Sequence, residues 1–251
     1  MLLLTTRLEA QDHPVNNNVK ILPFQQDASD NTDDKIAMQF YQARDFEKAG
    51  EIYGRLYEKK PDQNYYVLYL YCLLEIRDYK KAEKLIKSQT KNDPGSLRYM
   101  VDLGYLYYRQ GNPDKSKKLY DEALKKLTSS QQQIFELANA FIMRDENDYA
   151  IATYKRGREL NNNSYPFSFE LASVYERMGD FKSMLEEYIR LLENNKSYLQ
   201  TIEDRLQFSL AYDPDNSRNE AFRKYILEKA QKEPDKPWYA ELLWWYSVQQ
   251  K

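Results

Sequence analysis

The chain has 251 residues, only 7 of them Gly, with one Cys, one His and a formal net charge of -2. So little Gly argues against a β-rich or dinucleotide-binding fold, because tight hairpins, phosphate-cradling loops and nucleophile elbows use it to reach positive φ. One Cys and one His exclude an intramolecular disulfide and a Cys/His zinc site, which takes about four ligands; 37 basic against 39 acidic residues give no overall pull toward nucleic acid or an anionic membrane.

The first thirty residues stand apart from the rest. Met1-Leu2-Leu3-Leu4 followed by Leu8-Glu9-Ala10 reads as the tail of a secretory signal peptide cut after Ala10, although the basic start and most of the apolar core of such a signal are missing. On that reading the protein is periplasmic or secreted; the alternative is a cytoplasmic chain that starts with three incidental leucines. Residues 11–33 are rich in Asn, Asp, Gln and Ser and read as a flexible arm. Val19–Phe24 is its one apolar stretch, suited to docking on the remainder, and His13 has no expected partner. No run in the chain approaches the ~20 apolar residues of a membrane span.

From residue 31 onward the sequence repeats. Five segments align: Ala37-x2-Phe40 with Ala49-x3-Tyr53, Leu70-x2-Leu73 with Ala82-x3-Ile86, Gly104-x2-Tyr107 with Ser116-x3-Tyr120, Ala138-x2-Phe141 with Ala150-x3-Tyr154, and Ala172-x2-Tyr175 with Met184-x3-Tyr188. The second anchors, at 49, 82, 116, 150 and 184, are 33, 34, 34 and 34 residues apart, and each first anchor precedes its second by 12. Apolar residues at i, i+3 and i+4 mark one face of a helix. Each unit therefore carries two helices, separated by short polar breaks such as Arg44-Asp45, Arg77-Asp78, Arg144–Asn147 and Met178–Asp180. A short break between two helices makes an antiparallel hairpin. Small anchors let helix backbones approach, and the rings fill the space between neighbouring hairpins, so that a stack shares one continuous core. Cys72, among Tyr69, Leu70 and Leu73, reads as a buried, inert residue.

The register holds to about residue 195. Beyond it, a helix over 198–212 precedes the turn Asp213–Asn216, and a second helix carrying Ala221-x3-Tyr225 runs to Glu233-Pro234. Ala221 lies 37 residues past Met184, so this sixth unit holds about three extra residues. A terminal helix over 238–250 follows, with Trp238, Trp244 and Trp245. It reads either as a cap on the last apolar face or as the first half of a further unit in a longer chain.

These spacings resemble the tetratricopeptide repeats, whose 34-residue unit has a W-x2-L-G-x2-Y half and an A-x3-F half followed by Pro. Met100-x2-Leu103-Gly104-x2-Tyr107 with Ser116-x3-Tyr120 lies nearest the pattern, and Pro61 and Pro94 stand at the terminal position; Thr128, Asn162 and Lys196 replace Pro in later units, and Leu70 and Met184 replace small anchors. The resemblance spans about residues 30–195. It implies an all-α, right-handed superhelical solenoid of antiparallel helix pairs, and a non-catalytic scaffold for a peptide or partner protein in a concave groove lined by the first helices. Tyr41, Val67, Tyr71, Val101, Tyr105, Tyr108, Arg109, Phe135, Asn139 and Phe169 fall on that face and are the expected partner-binding residues. Chaperone-binding members of the family hold a chain-terminal carboxylate with Lys and Asn on their first helices. Here Asp34, Met38, Val67, Tyr71, Val101 and Tyr105 occupy the comparable points, so that clamp is absent.

Other functions fare less well. Lys80, Lys81, Lys84, Lys87 and Lys91, then Lys115, Lys117, Lys118, Lys125 and Lys126, form the solvated outer faces of second helices rather than a nucleic-acid site, since Glu83, Asp121 and Glu122 interrupt them and aromatics are few there. An α/α glycosidase would need its two carboxylates on shaped loops, and the regular breaks are about four residues or fewer. No catalytic residue, cofactor or metal site is expected. Self-association, or association with a missing part of the same chain, through the Trp238–Tyr246 end is the alternative to partner binding; the oligomeric state stays open.

Overall fold

A computed structural model describes residues 31–249. The expected signal remnant, its cut after Ala10, His13 and the Val19–Phe24 stretch lie outside the described residues. Asn31–Asp33, which composition placed in the arm, form the first turn of α1, where Asp33 and Asp34 suit the positive end of the helix dipole. The described residues are all-α, with no strand among them. The chain divides into two compact units, with the division in sequence between Ile76 and Arg77.

The first unit contains α1 (Asn31–Gln42), α2 (Phe46–Lys59) and α3 (Gln63–Glu75). Successive helices pack on one another. The expected small anchors Ala37 and Ala49 are fully buried, with Tyr53, Leu56, Tyr65 and Cys72 closing the core around them. A Cβ added at Gly50 would stand 3.1 Å from Cys72 Cβ, so that glycine lets α2 pack closely on α3. Burial pushes the Cys72 thiol up to about 12, which leaves it protonated and inert at neutral pH.

The second unit begins with α4 (Tyr79–Asn92) and continues as three hairpins: α5 (Arg98–Arg109) with α6 (Pro113–Lys126), α7 (Gln131–Ile142) with α8 (Asn147–Leu160), and α9 (Ser168–Met178) with α10 (Phe181–Asn194). A 3-10 turn (Lys196–Tyr198) leads to α11 (Leu199–Ala211), α12 (Ser217–Lys232) and α13 (Pro237–Gln249). Each hairpin's helices pack together, and α5 meets α7, α6 meets α8, and α8 meets α9. The anchors Ala82, Ala138, Ala150 and Ala172 are fully buried and Ser116 is nearly so. One core then runs from Leu97 through Tyr120, Phe141, Tyr154 and Tyr188 to Trp245.

The turns repeat as faithfully as the anchors. Arg44, Arg77, Gly111, Asp145 and Gly179 all take a positive φ, between 60° and 78°. The residue after the bend returns its N–H to a carbonyl five positions back: Asp45 to Phe40, Asn112 to Tyr107, Glu146 to Phe141 and Asp180 to Tyr175, at 2.9–3.0 Å. That 6→1 bond closes the first helix. The same residue then starts the second helix, and the carboxylates of Asp45, Asp78 and Asp180 accept from the backbone N–H of Lys48, Lys81 and Ser183.

Two places break the pattern. Between α8 and α9, Phe167 is fully buried at φ 50°, a strained conformation for a bulky residue. It is held by Tyr165, Phe135 and Tyr154 at 4.7, 5.6 and 5.7 Å between ring centroids. Arg158 ties the same loop down. It donates to the Pro166 carbonyl at 2.6 Å and pairs at 2.6 Å with Glu187 of α10, which also accepts from Ser168.

The second break corrects the sixth unit. Ala221, the expected anchor, is exposed and Tyr225 half-buried, whereas Phe222 and Ile226 are fully buried. The step from Met184 is therefore 38 residues (184 to 222), four more than the period. The reason is the longer turn before α12. Asp213 accepts from the backbone and the side chain of Asn219 at 2.8 Å each, and Asn216 takes φ 61° to admit the helix.

Gly104 offers a direct test of the close approach. Alanine improves helix propensity by about 1 kcal/mol. A Cβ there would, however, stand 2.8 Å from Tyr120 Cδ1 and 3.3 Å from the Ser116 carbonyl. Gly104→Ala should cost about 1–3 kcal/mol through overpacking, measured by chemical denaturation; a more stable variant would show that the crossing has room to spare.

Candidate protein-binding surface

In the second unit, the first-helix face of α5 is built around Tyr105. Its ring stacks on Tyr108, 6.3 Å away at 25° between planes. The Arg144 guanidinium, from the turn after α7, lies 4.8 Å from the Tyr105 ring centre, and Arg109 lies 5.8 Å away. Arg144 is fixed by Asp102, one turn before Tyr105, at 2.8 Å, with both side chains almost wholly buried. The Arg109 carbonyl accepts from the Tyr79 hydroxyl at 3.0 Å. At the start of α5, Arg98 donates to the Met143 sulfur at 3.2 Å. The result is an anchored Tyr105 carrying an outward Tyr108, which is 55% exposed, while Met143, just past α7, is exposed beside Arg98.

The expected residues divide by where the structure puts them. Tyr105 and Arg109 are half-buried, and Tyr108 and Asn139 are exposed. Val101 is fully buried and Phe169 is 6% exposed; both belong to the core. Phe135 is half-buried against Tyr154, Tyr165 and Phe167. In the first unit, Val67 is half-buried, and Tyr41 and Tyr71 form a ring cluster with Phe46, at 5.4–5.7 Å between centroids. Asp102 and Arg144 were not singled out from the sequence. The available signal was an acid inside the apolar run Met100–Leu103, on a helix face that has to be buried.

Buried acids are also where chemistry would be sought. Glu170 on α9 accepts from the Tyr165 hydroxyl at 2.9 Å, while its Oε2 is buried with no hydrogen-bond partner among the described residues. Burial raises its proton affinity against the opposing effects of its own backbone N–H, Tyr165 and Arg205. Among the described residues no group of three or more His, Cys, Asp or Glu is placed to hold a metal ion. No helix among them is long and apolar enough to cross a membrane.

The repeat geometry agrees with a sequence-family match. The model of the tetratricopeptide repeat matches residues 10–232. The chain is a tetratricopeptide repeat protein. Such repeats generally mediate protein–protein interaction, and the family is typically non-catalytic. No curated protein matches the sequence. Similar solved structures include a thermophilic tetratricopeptide repeat protein from Thermus thermophilus (17% identity, covering 67% of this chain and 92% of that chain, TM-score 0.35). Another is the TPR2AB domain of yeast Sti1 in its pHSP90 complex (14%, 86% and 97%, TM-score 0.33). A third is a tetratricopeptide repeat protein from Parabacteroides merdae (15%, 85% and 96%, TM-score 0.32). TM-scores this low add nothing to the assignment, which rests on the family match.

The Glu170 environment of this repeat protein gives a pH signature. A carboxyl whose folded pKa is raised holds its proton longer than in the unfolded chain, so its contribution to stability falls as pH rises above the ordinary value of about 4.3. Glu170→Gln keeps an acceptor for Tyr165 and removes the charge. The variant should match the wild type near pH 4 and melt higher than it at pH 7. Thermal melts across that range check it, and a variant less stable at pH 7 contradicts it.

Proposed function

We propose that this tetratricopeptide repeat protein is a non-catalytic scaffold that binds a segment of a partner protein on the first-helix face of its second unit, at Tyr105, Tyr108, Arg109 and Asn139. The carrying observation is the supported ring pair. Tyr108 is exposed yet stacked on Tyr105, which in turn lies against the Asp102-anchored guanidinium of Arg144. A partner meeting such a surface finds rings already ordered, so little conformational entropy is lost on binding. Tyr and Arg are also the side chains in which binding energy concentrates, since each joins contact area with hydrogen-bond donors. Val101 and Phe169 belong to the core rather than to this surface, so their truncation would lower stability.

The reading is tested by site-specific photo-crosslinking. A photoreactive residue in place of Tyr108 should trap the partner, while one in place of the exposed Lys117 on α6 should not. Tyr108→Ala should weaken the trapped partner's affinity by about tenfold or more, the range of a hot spot, with an unchanged melting temperature. Equal crosslinking at both positions, or unchanged affinity in Tyr108→Ala, contradicts the proposal.

A further inference from the structure

Phe208, Tyr212 and Trp244 are the most exposed large apolar side chains among the described residues, at 72%, 77% and 70%, and all three lie on α11 and α13 or at their ends. Phe208 breaks a series. Leu106, Ala140, Val174 and Phe208 recur every 34 residues on α5, α7, α9 and α11. The first three are 0%, 2% and 3% exposed. Neighbouring packing covers that position in three first helices and leaves it open in the fourth, where the step to the next anchor lengthens to 38 residues (184 to 222).

The open residues form two ridges of the same spacing. Phe208 and Tyr212 lie one helical turn apart with ring centroids 6.1 Å from each other. Trp244 and Val248, the latter 45% exposed, have the same i, i+4 relation on α13. The two helices pack on each other, and Gln207 Nε2 of α11 donates to Gln249 Oε1 at the end of α13, at 3.4 Å. The inner side of α13 is already occupied: Trp238, Tyr239, Leu242 and Trp245 are buried in the core of the second unit.

We infer that the strip formed by Phe208, Tyr212, Trp244 and Val248 is the contact surface for a second copy of this chain, related by a two-fold axis. The argument is one of area and charge. At the ~200 Å² that a buried aromatic side chain covers, the three rings together expose roughly 450 Å². Two such strips face to face bury roughly 900 Å² from the rings alone, and Val248 on each side brings the total to about 1,000 Å², the lower bound for a specific interface. A foreign segment would have to bring an equal apolar face of its own, which a second copy already has. A net charge of -2 puts little repulsion between copies. An interface at this lower bound is expected to give a weak, concentration-dependent dimer. The surface is distinct from the Tyr105–Tyr108 face, so either proposal can fail alone.

Sedimentation velocity of the full chain from about 1 to 300 µM, the range in which a small interface associates, tests the inference. The wild type should pass from monomer to dimer over that range. Phe208→Ser with Trp244→Ser should stay monomeric at about 300 µM and keep the wild-type melting temperature measured at about 1 µM, because both side chains face solvent in the monomer. Tyr108→Ala should dimerise like the wild type. A wild type that stays monomeric at about 300 µM, including one that binds a foreign helix there instead, overturns the inference, as does a double variant that dimerises undiminished.

Discussion

The constraint on which everything else depends is the close approach of helix backbones at the small anchors. Ala37 and Ala49 in the first unit, and Ala82, Gly104, Ser116, Ala138, Ala150 and Ala172 in the second, are buried where a larger side chain would hold two helices apart. Close approach fixes where the large residues must go. Tyr53, Tyr120, Tyr154 and Tyr188 follow their anchors by four residues, one turn along the same helix face, and close the core beside them. The 34-residue period is the spacing at which this arrangement can be repeated.

The turns show how the period is kept without much glycine. Five bends between successive helices contain a left-handed residue, and of these only Gly111 and Gly179 are glycines; Arg44, Arg77 and Asp145 adopt the same conformation. A left-handed non-glycine residue costs about 1–2 kcal/mol, which the closing hydrogen bonds and the caps on the following helices offset. A low glycine count therefore says less about positive φ than it first suggests. The inference against a β-rich fold holds because the apolar residues follow a helical period, which is independent of glycine.

Much of the fold was legible because anchors, breaks and caps lie within a few residues of one another and recur. What escaped depends on distant partners. The Asp102–Arg144 pair joins residues 42 apart, a helix interior and a turn, and no local pattern links them. Val101 and Phe169 sit on the helix they were assigned to, but the sequence does not show which neighbour covers them. Ala221 imitates a small anchor, and the longer turn held by Asp213 and Asn219 puts Phe222 in its place. The placing of Tyr105, Tyr108 and Arg109 on α5 and of Asn139 on α7 was legible from the helical period; the ordering of Tyr105 by Arg144 was not, because it depends on a buried ion pair.

If hairpins are stable only through their neighbours, a disturbance at one crossing must travel along the stack. Native-state hydrogen exchange on Ala138→Leu, which overpacks a fully buried anchor in α7, measures this most directly. Protection should fall in α5–α6 and α9–α10 as well as in α7–α8. Loss of protection confined to α7–α8 would mean that each hairpin stands by itself, contrary to the shared core described above.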